Sequence, residues 1–327
     1  MDGALPLVSI VCPAFQEEDV LPIFHERLQA ALKALEHRFR FEIIYVDDGS
    51  ADRTLEVLKQ IAHLDPTVSY LSLSRNFGHQ AALTAGLEHA RGDAVISMDA
   101  DLQHPPAVLA ELLNHWQDGY DVVITIRADD DRLPWLKRFT SSAFYWLMQQ
   151  ISETEIRMSA SDFRLMSRKA LQALLQLKEQ HRFVRGMVQW LGYRVKEVPF
   201  QPDERYAGVS KYTFQRMLRL AGDGLFSFSR APLRVPLYLS GVFLALAAVH
   251  MVLAGVAWLQ SSGTTTWHYL MLVVHLGIGA VLGSLGILGE YVGRVHDQVK
   301  ERPIYLLKEC EMRPLAATVP AERREAA

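Results

Sequence analysis

Two long uncharged stretches near the end of the chain most constrain how it can fold. Leu237–Leu259 and Tyr269–Gly289 contain no Asp, Glu, Lys or Arg. As a helix, each is long enough to cross about 30 Å of hydrocarbon. A pair of buried core helices is the alternative, but two such runs side by side favour membrane spans. We therefore predict transmembrane helices at 237–259 and 269–289.

Charges beside these runs predict their orientation. The segment between them, Gln260–His268, has no Lys or Arg, whereas basic residues stand on the outer side of both runs. Positive charge usually stays on the cytoplasmic side of a membrane. We expect a multi-pass protein of the inner (cytoplasmic) membrane with both ends in the cytoplasm. The basic residues concerned are Arg230, Arg234, Arg294, Lys300 and Arg302.

This topology divides the chain into a cytoplasmic part and a membrane part. Residues 1–211 form the predicted cytoplasmic domain, and residues 290–327 a cytoplasmic tail. Residues 212–236 mix apolar and basic side chains, which suits juxtamembrane helices lying at the interface, although a surface helix of the first domain has the same pattern. The start of the chain lacks a basic region followed by a long apolar stretch, so we expect no signal peptide.

Charge and cysteine content exclude some classes of function. The chain has 34 basic and 37 acidic residues and a formal net charge of −3. Proteins that bind nucleic acid usually carry net or clustered positive charge, so we expect no nucleic-acid partner. Cys12 and Cys310 lie far apart without metal-type spacing, and we expect reduced thiols.

Before the apolar runs, short β-branched segments alternate with helical patterns. This alternation predicts an α/β fold with a doubly wound, mostly parallel sheet, in which ligands bind beyond the carboxyl ends of the strands. The predicted strands are Val8–Val11, Glu42–Val46, Ser69–Leu73, Ala94–Met98 and Val122–Ile126. The predicted helices are Glu17–Glu36, Thr54–Ala62, Gln80–Ala90 and Pro106–Gln117.

Two aspartates follow the fourth predicted strand. Asp99 and Asp101 are separated by one residue, and Gln103 comes two residues later. In an extended segment, side chains two apart point to the same side. Oxygen ligands suit Mg²⁺ or Mn²⁺, which keep room for waters and substrate phosphates. The alternative is a polar loop that caps the next helix, since a lone D-x-D pattern is common by chance.

Three further polar clusters follow the first three strands: Pro13–Glu17, Asp47–Ser50 and Arg75–His79. Each by itself is compatible with ordinary turns and helix caps. Four polar loops at successive strand ends, however, favour a ligand site at one edge of the sheet.

Together these motifs resemble glycosyltransferase family 2. The segments concerned are Pro13–Glu17, Val46–Ser50, Ser74–Gly78 and Met98–Gln103, and the resemblance extends over residues 6–300. It is closest to the polyprenyl-phosphate glycosyltransferases, which include dolichyl-phosphate mannose synthase, undecaprenyl-phosphate glucosyltransferases and the aminoarabinose transferase. The resemblance implies a GT-A fold and inversion at the anomeric carbon.

The resemblance also assigns roles to residues on the donor side. Asp99, Asp101 and Gln103 match the metal site for Mg²⁺ or Mn²⁺. Gln16 departs from the more usual Asn, with little expected consequence. The implied nucleotide-sugar residues are Pro13, Phe15, Glu17, Asp47, Asp48, Asn76, Asp99, Arg205, Ser210 and Lys211.

On the acceptor side, Ser161–Arg164 matches a family motif. The resemblance makes Asp101, Asp162 and Arg164 catalytic; relatives are thought to use Asp162 as a base, whereas an orienting role toward Arg164 or the acceptor is the other hypothesis. Solvated surface charge is the alternative for the basic residues. The implied acceptor-phosphate residues are Arg127, Lys137, Arg138, Ser141 (or its neighbour Ser142) and Arg164.

The sequence thus predicts a metal-dependent enzyme that transfers a sugar from a nucleotide sugar, with a UDP-hexose or UDP-modified sugar expected, to a polyprenyl phosphate. Relatives with two spans often assemble, so a homo-oligomer is possible. A processive polysaccharide synthase shares the aspartates, but the chain has no Q-x-x-R-W run. A transferase with another acceptor and a non-catalytic membrane scaffold are the remaining alternatives.

Overall fold

The computed structural model of the chain describes residues 5–127, 160–180, 182–201 and 266–314, together with some residues between 236 and 256. Two compact units are present. The globular unit comprises Met1–Ser142, Ile156–Thr213 and Pro303–Ala327, and the second unit comprises Ala143–Glu155 and Phe214–Arg302.

The globular unit is built on an eight-stranded sheet with the order β7-β5-β6-β4-β1-β2-β3-β8. The strands are β1 (Leu7–Ala14), β2 (Arg40–Asp47), β3 (Val68–Leu73), β4 (Ala94–Ser97), β5 (Val122–Arg127), β6 (Ala160–Ser167), β7 (Val195–Phe200) and β8 (Leu307–Glu311). Its helices are α1 (Leu21–Lys33), α2 (Thr54–Leu64), α3 (His79–His89), α4 (Leu109–Gln117), α5 (Arg168–Gln176) and α6 (Val184–Trp190).

The predicted α/β class is confirmed, and the sheet is mixed. β1 pairs in parallel with β2 and β4, β2 with β3, and β5 with β7. The antiparallel pairings all involve β6 or β8, two strands that the sequence analysis did not predict. The parallel half carries the predicted strand-end clusters.

Apolar side chains on β1 face two layers of helix. Ile10 and Cys12 are fully buried in a core shared with α1, α2 and α4. Val11 points to the other side, where α3 approaches so closely that a Cβ on Gly86 would lie 2.3 Å from its Cγ1. Because successive side chains of a strand alternate between faces, helices cover the sheet on both sides. A strand buried on both faces must be apolar along its length, as the sequence of β1 is.

A buried carboxylate joins several elements at the amino ends of the strands. Glu42 on β2 accepts hydrogen bonds from the Ser9 hydroxyl at 2.5 Å and from Arg91 Nε at 2.9 Å. Arg91 Nη2 also donates to the Arg313 carbonyl at 2.9 Å. A buried charge is tolerated when it is paired and hydrogen-bonded in this way. The network links β1, β2, the loop before β4 and the segment after β8.

The C-terminal part of the chain contributes an edge strand to the globular unit. β8 runs antiparallel to β3, and the Ser74 N–H donates to the Leu306 carbonyl at 2.8 Å. Tyr305 donates its hydroxyl to Glu88 at 2.6 Å. The predicted tail 290–327 is therefore not a tail throughout, because residues 305–313 pack against the rest of the globular unit.

The second unit contains a long apolar helix, α7 (Thr266–Val299). Within it, Leu276–Val299 has 24 residues and a mean hydropathy of 1.5, and none of its apolar window is buried in the protein. By length and composition this segment suits a membrane span. It is the one candidate span among the described residues. The described residues between 236 and 256 are helical. The rest of the predicted first span, and the predicted interfacial segment up to residue 235, lie outside the described residues.

Candidate active site

Four loops meet at the carboxyl ends of β1 to β4. The parallel register aligns Ala14 with Asp47 and Asp47 with Ser72, and the Met98 N–H donates to the Val11 carbonyl at 3.0 Å. The predicted polar clusters therefore lie along one edge of the sheet. The hydrogen bonds of their side chains distinguish the role that each side chain has in the site.

Asp47 and Asp48 fix the loops around them. The Asp47 carboxylate accepts hydrogen bonds from the Ser50 N–H at 2.9 Å and from the Ser72 hydroxyl at 2.8 Å. Asp48 accepts from the N–H groups of Phe77 at 2.8 Å and Gly78 at 3.0 Å. Burial raises the pKa of Asp48, and these two N–H groups oppose that shift. Asp47 and Asp48, which were predicted to contact the nucleoside, therefore hold the loops around them in place.

Gly49 allows the second and third loops to touch. Its φ is +65°, and a Cβ at this position would lie 2.3 Å from the Arg75 carbonyl carbon. Backbone cannot move aside as a flexible side chain can, so glycine is required here. The contact sets the position of the loop that carries Asn76, whose side chain is exposed.

The loop after β1 is held against the loop after β2. The N–H of Gln16 donates to the Ser50 hydroxyl and that of Glu17 to the Thr54 hydroxyl, both at 3.0 Å. Pro13 is buried, whereas Phe15 and Glu17 are half-buried. The predicted nucleoside residues of this loop therefore stand beside Asp47 and Asp48.

Asp99 is paired with a histidine that the sequence analysis did not assign. His79 Nε2 lies 2.7 Å from Asp99 Oδ1. Desolvation disfavours the charged imidazole, but the Asp99 carboxylate outweighs it and raises the pKa of His79 to about 9. Burial alone would raise the pKa of Asp99, whereas His79 and His104 lower it to about 2. The available signal was position, since His79 directly follows the motif Ser74–Gly78.

His104 fixes the backbone of the aspartate loop. It is 1% exposed and accepts a hydrogen bond from the Asp99 N–H at Nδ1, at 2.9 Å. Its Nε2 lies 3.0 Å from the Ser161 hydroxyl, and its ring stacks on Phe163 with centroids 5.1 Å apart. Burial lowers the pKa of His104. A neutral ring with its proton on Nε2 satisfies both contacts, because Nδ1 must accept.

The remainder of this loop adopts a conformation that few side chains accept. Leu102 is buried with φ at +64°, between Asp101 and Gln103. Asp101 Oδ1 accepts a hydrogen bond from the Gln103 N–H at 3.1 Å. Such backbone costs about 1–3 kcal/mol and is frequent at functional sites. The loop is thus built to hold Asp99, Asp101 and Gln103 together.

Asp162 lies between two guanidinium groups. Its Oδ1 is 2.7 Å from Arg164 Nη2, and its Oδ2 is 2.5 Å from Arg185 Nη2. Burial opposes ionisation of Asp162, but Arg185 and then Arg164 hold its pKa well below the ordinary range. Because both oxygens accept charged hydrogen bonds, the carboxylate is a poor proton acceptor.

Arg164 is turned toward the protein interior. It is 1% exposed, and its Nη2 also donates to the Ser161 carbonyl at 3.0 Å. Burial lowers its pKa to about 10, a value at which it stays charged at neutral pH. Its Nη2 is thus held by Asp162 and by backbone, and its contact with the acceptor phosphate stays a prediction.

Arg127, at the end of β5, is exposed and lies near the aspartate loop. Its Nη2 donates to Gln103 Oε1 at 3.3 Å. This brings one predicted acceptor residue beside one predicted metal ligand. The other predicted basic and hydroxyl residues lie outside the described residues: Lys137, Arg138, Ser141, Arg205, Ser210 and Lys211.

The aspartate loop has the donor chemistry of a divalent-cation site. Within the described part of the chain no cluster of three His, Cys, Asp or Glu side chains forms a closed metal cage. Mg²⁺-type sites need less, because one or two carboxylates suffice when substrate phosphates and waters complete the shell. Two carboxylates and one amide oxygen on a single strained loop fit such a site.

Comparison of the sequence with known protein families identifies the class of this protein. Residues 9–175 match the family model described as Glycosyl transferase family 2. The chain belongs to glycosyl transferase family 2. The resemblance seen in the motifs is thereby confirmed, and the protein is a glycosyltransferase with an α/β fold.

Relatives of this family 2 transferase match along nearly the whole chain. The SfII prophage-derived bactoprenol glucosyl transferase of Shigella flexneri is 39% identical over 303 residues, which are 92% of this chain and 97% of that protein. The uncharacterized glycosyltransferase YkcC of Bacillus subtilis (strain 168) is 37% identical over 301 residues, 92% of this chain and 93% of that protein.

A solved structure with a distant likeness is the mannosyltransferase PcManGT from Pyrobaculum calidifontis, in complex with GDP-Man and Mn²⁺. It is 17% identical, with a TM-score of 0.46, and the alignment covers 86% of this chain and 88% of that chain. At this distance the likeness carries no conclusion about ligands.

Proposed function

We propose that this family 2 transferase moves a sugar from a UDP-sugar to a polyprenyl phosphate, with inversion, at the cytoplasmic face of the inner membrane. The observation that carries the proposal is the alignment with bactoprenol glucosyl transferases at 39% identity over 92% of the chain. That alignment covers 92% of the chain, so it includes the strand-end loops from Asp47 onward and the apolar stretch 237–289. Bactoprenol is a polyprenol, so the relatives' names support a lipid acceptor for this chain as well.

On the donor side, the chain's own residues would bind a nucleoside and present its diphosphate. Pro13, Phe15, Glu17 and Asn76 would contact the nucleoside, beside the loops that Asp47 and Asp48 hold in place. Asp99, Asp101 and Gln103 would hold Mg²⁺ or Mn²⁺. When bound, that ion would neutralise the negative charge that grows on the departing diphosphate.

On the acceptor side, a lipid phosphate oxygen attacks the anomeric carbon. The new carbon–oxygen bond forms as the bond to the diphosphate breaks, and the electron pair leaves with the UDP. A phosphate monoester has a second pKa near about 6, so the nucleophile is already largely dianionic and needs no strong base. Arg127, which is exposed and donates to Gln103 Oε1, would hold this phosphate. Asp162, kept ionised by its arginines, orients rather than deprotonates.

The test is a transfer assay with the purified full-length protein. Radiolabelled UDP-sugars are offered with undecaprenyl phosphate and Mg²⁺ or Mn²⁺, and label in the organic phase is counted. We expect lipid-linked label with at least one donor. Asp101→Ala should abolish it without lowering the melting temperature, whereas Asp118→Ala, a change of an exposed carboxylate after α4, should leave it intact. Label that never enters the organic phase, or full activity of Asp101→Ala, would contradict the proposal.

A further inference from the structure

Arg185 belongs to none of the strand-end motifs, yet it joins the site through Asp162. It is the second residue of α6, and its Nη2 lies 2.5 Å from Asp162 Oδ2. Its side chain is 26% exposed, whereas those of Asp162 and Arg164 are 6% and 1% exposed. Of the two guanidinium groups on this carboxylate, Arg185 is therefore the one that reaches the surface.

The sheet register places this ion pair beside the aspartate loop. β4 and β6 are antiparallel, with Ala94 opposite Ser167 and Ser97 opposite Arg164. Continued by two residues, the same register brings Asp162 opposite Asp99. The Ser97 hydroxyl donates to the Asp162 carbonyl at 2.6 Å, which supports this continuation.

A second contact brings α6 to the same point. The Val184 N–H donates to Gln80 Oε1 at 3.1 Å. Gln80 directly follows His79, and Val184 directly precedes Arg185. This one hydrogen bond therefore holds the His79–Asp99 pair next to the Asp162–Arg185 pair. The positive charge of Arg185 also acts to lower the pKa of His79.

The charges at this junction favour an anion. Two guanidinium groups share the single carboxylate of Asp162, which leaves the cluster with one net positive charge. A planar guanidinium group matches the geometry of phosphate oxygens. A carboxylate behind such a group fixes its direction.

We propose that Arg185 contacts a substrate phosphate group and that Asp162 is the positioning residue that aims it. This inference rests on the proposed function, because that function supplies two phosphate-bearing substrates. The phosphate belongs either to the diphosphate of the nucleotide sugar or to the polyprenyl phosphate. Both offer the same oxygen chemistry, so the experiment has to separate them.

The first arm of the experiment is kinetic. Arg185→Gln removes the charge and should lower kcat/KM about 10- to 100-fold, the effect of losing one charged hydrogen bond. Arg185→Lys keeps the charge without the planar fork and should recover only part of the activity. The substrate whose KM rises identifies the phosphate, and a loss confined to kcat, with both KM values unchanged, would overturn the inference. Arg194→Gln, at an arginine that lies over Tyr120, is the matched control.

Chemical rescue separates contact from support of the fold. Methylguanidinium added to Arg185→Ala should restore part of the lost activity if a missing phosphate contact caused the loss. Activity of Arg185→Gln within about twofold of the wild type would overturn the inference. A loss in Arg185→Ala that methylguanidinium does not reverse, in a protein with an unchanged melting temperature, would also overturn it.

The second arm is independent of turnover. Binding of UDP and of a short polyprenyl phosphate is measured calorimetrically for the wild type and Arg185→Gln. We expect one of the two affinities to fall by the same factor as kcat/KM. If the wild type transfers no sugar to lipid but Arg185→Gln still weakens one of these affinities, the proposed function fails and this inference stands. If neither affinity changes, the inference fails whatever the wild type transfers.

Discussion

Asp162 has both carboxylate oxygens bound by arginine side chains, and this decides what it can do in a reaction. A general base needs a pKa near the working pH and an accessible lone pair. The pKa of Asp162 lies well below the ordinary range, and its side chain is 6% exposed. The residue is therefore suited to orienting the guanidinium groups beside it.

The pH dependence of Asp162→Asn tests this role. The wild-type carboxylate stays ionised between about pH 5 and about pH 9, well above the ordinary Asp pKa of about 3.9. We expect Asp162→Asn to lose activity by the same factor at every pH in this window. Measurement of kcat/KM across the window checks this, with Asp118→Asn as the control. A loss that disappears at high pH would instead indicate that Asp162 acts as a base.

The same shift has a consequence for stability. Because the folded-state pKa of Asp162 is depressed, its ionised form stabilises the fold above the unfolded pKa of about 3.9. That contribution is lost as the pH falls through the folded-state pKa. Within the assay window the contribution of Asp162 is constant, so its ionisation adds no pH dependence to stability there.

Individual site residues differed in how far the sequence could identify them. Asp99, Asp101 and Asp162 could be singled out because each lies in a local motif. His79 ends a predicted polar cluster, but its pairing with Asp99, 20 residues away, depends on β4. Arg185 is recognisable only through a partner 23 residues away, which β6 brings to it. Arg164 lies in a motif and is buried against Asp162, and its contact with the acceptor phosphate stays a prediction.

At the level of elements, a glycine allows two loops of the site to lie against each other. Gly49 has φ at +65° and faces the backbone of Arg75. Gly192, after α6, has nearly the same φ, +69°, but no atom within 4 Å of its would-be Cβ. The two glycines therefore separate the cost of a left-handed backbone from the cost of a steric clash.

Alanine substitution at these two positions should give different results. Gly192→Ala should cost about 1–2 kcal/mol, the conformational penalty for a left-handed residue. Gly49→Ala carries the same penalty and also pushes the Arg75 loop away, so we expect a larger loss of stability and weaker UDP binding. Thermal unfolding and calorimetric titration with UDP check both effects. Equal losses of stability in the two variants, with unchanged UDP affinity, would contradict the close contact.

Sequence patterns predicted the elements that alternate cleanly and missed those that do not. Every strand and helix predicted before residue 127 is present, with ends shifted by a few residues. β6 was missed because it carries Asp162 and Arg164 in its buried interior, which hides its apolar pattern. β8 was missed because its sequence, Leu307–Glu311, is largely exposed and charged, and only pairing with β3 gives it a strand's role.

For the molecule as a whole, α7 is the described element that is suited to enter a membrane. α7 extends beyond the predicted span Tyr269–Gly289 at both ends, and its described side chains are predominantly exposed. Apolar side chains exposed along a whole helix are costly in water and favourable in lipid. Glu290 and Arg294 follow the uncharged run, and Arg294 Nε lies 3.0 Å from Glu290 Oε1. This pairing reduces the free-energy cost of placing charges near the end of a span.

Substitution at two depths of α7 tests whether it spans the bilayer. Leu282, 62% exposed, lies inside both the uncharged run and the candidate span, whereas Val299 is the last residue of the helix. A lysine at the centre of a spanning helix costs about 2.5–3.5 kcal/mol, but near its end the side chain reaches the interface. We expect Leu282→Lys to reduce insertion of α7 strongly and Val299→Lys to change it little. Glycosylation mapping of residues 266–299 within a reporter membrane protein measures both, and equal effects of the two lysines would show that α7 does not cross the bilayer.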